Sequence, residues 1–142
     1  MNHRWVSPLL IATALILPTT AFSKDEPIKP DLEHADFGPK PENVEELIKA
    51  WAADNLKDPE SARFSKLTQP RKEWMVVNLQ PFYGWSVCVD ITAKNSYGGY
   101  VGANTYWFLL RDGKIERGQS TVGFPGKMIS RGHSVNCDDG AE

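Results

Sequence analysis

The sequence predicts an α+β domain: one amphipathic helix packed on an antiparallel sheet of about four strands, clipped by a single disulfide. Three observations carry this reading. An apolar stripe of helical period lies over 41–57, a run of strict alternation lies over 85–93, and Cys88 and Cys137 are the only cysteines in the chain. A helix followed by consecutive strands is the order in which a helix covers one face of an antiparallel sheet.

The helix is predicted first. Pro41 suits the first turn, and Glu42, Glu45 and Glu46 sit where the positive end of the helix dipole favours acids. Val44, Leu47, Ile48 and Trp51 recur at i, i+3, i+4 and i+7, which places them on one face. Asp58-Pro59 ends the helix, and Phe64 then returns to the core.

Strands follow. Trp74–Leu79 has a mixed pattern, whereas Trp85, Val87, Val89, Ile91 and Ala93 alternate cleanly with Ser86, Cys88, Asp90 and Thr92. Thr105–Arg111 is a third strand, and Asp112-Gly113 turns tightly into a fourth, Lys114–Gln119. Tyr106, Phe108 and Leu110 are expected to face the helix, leaving Trp107 and Leu109 on the far face. Cys88 points to that far face as well. A bond to Cys137 is therefore expected to draw 123–137 across it.

Before the helix the composition changes. Leu9–Leu17 is an apolar run of about nine residues after a weakly basic start, too short to span a bilayer as a helix. Pro18 breaks the run, and Ala21-Phe22-Ser23 offers small residues for a signal peptidase. Residues 1–23 are thus expected to be an export signal cleaved after Ser23, with Ala21 as the alternative. The mature protein is expected in the periplasm or outside the cell, with no membrane span. Residues 24–40, with Pro27, Pro30 and Pro39 among charges, are expected to be an extended, flexible linker, and 41–142 a single domain.

Losing the leader removes Arg4 and no acid, leaving 15 basic against 18 acidic residues and a charge near −3. With no basic stripe, nucleic acid and anionic lipid are not expected partners. In an oxidising compartment the two cysteines are expected to pair, closing a loop of roughly 50 residues, worth about 4 kcal/mol in the chain-entropy account. The competing assignment is metal, since His133 and Cys137 are four apart, but a structural zinc site wants four ligands in paired spacings. No metal and no cofactor are expected.

Chemistry is sparse. His133 has Ser130 and Asp138 nearby in sequence, yet no nucleophile elbow accompanies them, and a small hydrolase using His133 is the least favoured reading. Asp90 and Lys94 share a face and are expected at most to form a solvated pair. Arg63 is expected to pair with Glu60 or the helix end. The unusual segment is Lys94–Gly102 (KNSYGGYVG). Lys94, Asn95, Tyr97, Gly98, Gly99 and Tyr100, with Trp107, form the candidate contact surface, because aromatics offer area at low entropic cost beside polar hydrogen-bonding groups. The same glycines could equally serve a wide turn that needs positive φ. Trp74 is a further candidate aromatic platform.

Leu56–Phe64 (LKDPESARF), Cys88 and Lys94–Gly102 together resemble a group of small exported bacterial envelope proteins without an assigned biochemical function. In that group a DPxSAxF segment after a helix precedes a C-G-x-x-N-x-K-N-x-x-G-G strand and loop. The likeness spans about Trp51 to Phe108; Val89 and Thr92 stand where the group's pattern has Gly and Asn. The resemblance implies an exported domain and carries over no catalytic residue. The function expected is a non-catalytic binding or envelope-interaction module whose partner is an envelope protein or cell-wall component. The alternative is an inhibitor or immunity-type protein that plugs a cell-wall or toxin enzyme.

Overall fold

A 13-residue strand, β3 (Gln80–Thr92), organises the chain. In the computed structural model, residues 28–121, 127–130 and 133–137 are described. The expected leader over 1–23 and the start of the linker lie outside them, as does Asp138. Helix α1 (Val44–Asn55) is followed by a short 3-10 turn, Pro59–Ser61, and then by β1 (Arg63–Ser65) and β2 (Arg71–Val77). After β3 come β4 (Asn104–Arg111), β5 (Lys114–Ser120), β6 (Lys127–Ser130) and β7 (His133–Asn136).

The main sheet has five antiparallel strands, one more than expected, yet it is only four strands wide. Its edge strand is broken in two: β1 pairs with the last residues of β3 and β2 with the first. Lys66 has φ +52, and Pro70 lacks a donor for the ladder, so pairing lapses between the two pieces. Thr68 holds the intervening chain against the sheet; its amide donates to the Cys88 carbonyl at 2.9 Å and its Oγ1 accepts from the Cys88 amide at 2.9 Å. β3 begins at Gln80 rather than Trp85 because Asn78 and Leu79 themselves make the turn, at φ +49 and +64. Nothing about Leu79 announces a left-handed residue. Asp112 and Gly113, at φ +50 and +72, form the expected β4–β5 turn.

Each face of β3 feeds its own core. Toward α1, Val87, Val89 and Ile91 pack with Phe108, Leu110, Val44 and Ile48; Leu47, Trp51 and Phe64 close the margin. The helical stripe read from sequence is the one buried here, although α1 starts at Val44, three residues after Pro41. Trp51 meets Phe108 edge-on at 4.9 Å and Tyr106 at 5.7 Å. That contact depends on Gly118 in β5, where a Cβ would lie 2.6 Å from Phe108 and 2.8 Å from Trp51. On the far face Met75, Cys88, Trp107 and Leu109 form a second cluster, joined by Val77, Phe82 and Cys137. Cys88 and Cys137 are disulfide-bonded, with Cα atoms 5.7 Å apart. Both sulfurs are thereby consumed, which removes the thiolates that the metal alternative required. The tail forms the β6–β7 hairpin, and β7 runs close to β2; residues 122–126 are not among those described.

The segment expected as a free linker is anchored between Asp31 and Gly38. Arg111, at the end of β4, donates from Nη2 to the Asp36 carboxylate at 2.8 Å and from Nη1 to the carbonyls of Asp36 and Tyr83. Trp85 Nε1 donates to the Gly38 carbonyl at 3.0 Å, the Asp31 amide donates to the Tyr83 hydroxyl at 3.1 Å, and Phe37 meets Tyr83 edge-on. Gly38 has φ +70, and a Cβ there would sit 2.8 Å from the Asp112 carboxylate. Composition marked this stretch as polar and proline-rich; the partners that hold it are dozens of residues away.

Two outcomes follow from this packing. Gly118→Ala is expected to destabilise by about 2 kcal/mol through overpacking against two rings, read as a lowered urea midpoint. The Asp36 carboxyl is held below the usual carboxylate range, first by the Gly38 amide and then by Arg111. A depressed carboxyl pKa gives stability that is complete above the unfolded value and lost as pH falls through the folded one. Anchoring of 31–38 should therefore persist to pH values below the ordinary carboxylate range and then release. Trp85 indole and Gly38 amide NMR shifts would follow the release, and Asp36→Asn should abolish the transition.

Candidate functional site

The loop after β3 is built by one side chain. Asn95 Oδ1 accepts from the Tyr97 amide at 2.9 Å and the Gly99 amide at 3.1 Å. Its backbone amide donates to the Gly99 carbonyl at 2.8 Å, and its carbonyl accepts from Gly98 at 3.0 Å. Gly98 sits at φ +78, and Lys94 and Tyr100 form a bridge that closes the base. A Cβ at Gly98 would meet nothing within 4 Å, so glycine is required there for conformation and not for space. The glycines thus serve a turn, as one of the two sequence readings held, and that turn displays the tyrosines. Tyr97 is 96% exposed, Tyr100 48% and Val101 44%.

Two segments singled out by sequence meet here. Ser61, the last residue of the 3-10 turn, accepts the Lys94 amide at its Oγ (3.0 Å) and donates from the same oxygen to the Asp58 carbonyl (2.8 Å). Asp58 caps the turn in return, accepting the Ser61 amide at 3.3 Å. Lys57 Nζ donates to Ser96 Oγ at 3.2 Å. The Arg63 guanidinium lies 4.9 Å from the centroid of the Tyr100 ring, and Lys94 Nζ lies 5.6 Å from the same centroid. DPESARF and KNSYGGY are therefore one structural unit at the β1–β3 end of the sheet.

Of the residues proposed from sequence, Lys94, Asn95, Tyr97, Gly98, Gly99 and Tyr100 come together. Trp107 does not, and its assignment to the contact surface is corrected. It pairs with Cys88 across β3 and β4, is 1% exposed, and sits in the far-face core, so no ligand reaches it from solvent. Its Nε1 is buried with no hydrogen-bond partner among the described residues. Trp74 is buried as well. Asp90 is held by Lys66 at 3.2 Å and by the Thr105 hydroxyl at 2.6 Å, not by Lys94. Arg63 turns to Tyr100 and not to Glu60. His133 stands opposite Ser130 in the β6–β7 register.

Arg63 and Lys57 are the members of this cluster that sequence reasoning passed over as binding groups. The signal for Arg63 is register: it opposes Thr92, two residues before Lys94, and only the β1–β3 pairing reveals that. Elsewhere, a cleft of about 230 Å³ lies between α1 and β1, lined by Ile48, Phe64, Leu67 and Val89 with Glu45 and Lys66 at its margin. A shallower one of about 80 Å³ lies by Met75, Val77, Phe82 and Leu109. Both fall below the size usual for small-molecule sites.

The chain matches no family model, no curated protein and no solved structure. Function is therefore argued from this surface alone. Ser61→Ala removes the acceptor of the Lys94 amide and is expected to cost about 1 kcal/mol. Faster hydrogen exchange at Lys94 and Gly99 would report the loosened loop.

Proposed function

We propose that this protein is an exported, non-catalytic binding module of the bacterial envelope, and that the Asn95-centred loop is its contact surface. The observation that carries this reading is Tyr97: a large aromatic side chain left 96% exposed at the tip of a loop held in shape by hydrogen bonds to Asn95. Such a residue contributes nothing to the core, and a preformed loop loses little entropy when a partner docks. Tyr100 and Val101 extend the platform. Arg63, Lys94 and Lys57 supply charge beside it, and Trp107 has no part in it.

The exported location rests on the leader read from sequence and on the disulfide, a bond favoured in oxidising compartments. Among the described residues no helix is long and apolar enough to cross a membrane. The absence of a catalytic role rests on the lack of a converging nucleophile, base and orienting acid around the loop, among the described residues.

Tyr97→Ala combined with Tyr100→Ala is expected to abolish capture of partners from envelope extract in a pull-down. Circular dichroism and the disulfide should remain unchanged. Undiminished capture by the folded double variant would remove the loop from the contact surface.

A further inference from the structure

The cations around the loop lie in no ion pair among the described residues. The ion pairs there lie elsewhere: Lys66 with Asp90, Lys49 with Glu45, His34 with Asp31, and Arg111 with Asp36 and Asp112. None of Lys57, Arg63 and Lys94 makes such a pair. Instead Arg63 and Lys94 are gathered on one ring, that of Tyr100, at 4.9 and 5.6 Å. Both cations are thereby held on one ring by cation–π attraction, and an anion placed between them would be attracted by both. The neighbouring acids Asp58 and Glu60 form no ion pair with these cations among the described residues; Asp58 accepts the Ser61 amide instead. Asp90, on the same face of the sheet, is already engaged by Lys66 and Thr105.

We infer that this surface binds a carboxylated glycan, with the uronate carboxylate held by Arg63 and Lys94 and the pyranose ring stacked on Tyr97. This rests on the reading of the loop as the contact surface. Arg63 presents a planar fork that matches a carboxylate, and Tyr100 limits where that fork can point. Among the described residues no cation lies over the Tyr97 ring, which is 96% exposed and offers an electron-rich face to the C–H groups of a sugar. Ser96, already bonded to Lys57, adds a hydroxyl at the same rim. A protein partner fits less well, because the loop presents exposed rings and cations, whereas an anchoring side chain is received by a deep pocket. A nucleic acid fits less well too, since three cations on a net acidic chain fall short of the phosphate contacts such binding uses.

The test is calorimetric titration of the folded, disulfide-bonded protein with three probes: polygalacturonate oligosaccharides, neutral dextran oligosaccharides and poly-glutamate. Polygalacturonate alone should bind, more weakly as salt rises. Arg63→Gln with Lys94→Gln should weaken it at least tenfold, and Tyr97→Ala, which alters a side chain outside the core, should do likewise. Equal binding of dextran would overturn the role of charge, and equal or tighter binding of poly-glutamate would overturn the glycan. If no glycan binds while the tyrosine double variant still loses its envelope partner, this inference fails and the contact-surface reading survives. If the double variant loses nothing, both fail.

Discussion

Successive side chains of an extended strand point in opposite directions, and β3 carries an apolar load on both sides of that alternation. Val87, Val89 and Ile91 meet the helix, while Cys88 turns away from it into a second cluster. A sheet with apolar residues on both faces needs two covers. The helix supplies one by ordinary amphipathic packing. The other face is joined to the C-terminal segment by a covalent bond. A chain this short buries a limited core, so a crosslink that restricts the unfolded ensemble contributes where added packing cannot.

Much of that plan was legible in the residues. The alternation over 85–93 and the helical stripe from Val44 to Trp51 assign both cores to the faces on which they lie. What stayed hidden follows a pattern. Local propensity does not show a turn made by Asn78 and Leu79, because a leucine at positive φ is tolerated by context rather than favoured by chemistry. A three-residue strand such as β1 is shorter than any periodicity can register. The anchoring of Asp36 by Arg111 joins residues 75 positions apart, and nothing in the composition of 24–40 reveals it. For the site, the loop residues were visible as a glycine- and tyrosine-rich segment, whereas Arg63 joined them through strand register alone. Trp107 was misassigned for a related reason: alternation located it on the far face, but gave no measure of how thoroughly that face is covered.

The loop shows a structural role for Gly98, which takes φ +78 within the turn. Asn95 and Gly98 fix the turn, Ser61 and Asp58 tie it to the 3-10 turn, and the tyrosine side chains are left at the surface. Stability and display are assigned to different atoms of the same nine residues.

The latch at Asp36 and the tyrosine loop occupy opposite poles of the sheet. Arg111 and Tyr83 lie at the start of β3, and Lys94 just beyond its end, a run of about eleven residues, or on the order of 35 Å of extended chain. Residues 31–38 are therefore bound to the sheet at the pole away from the exposed rings. The rings project from the other like the head of a pin.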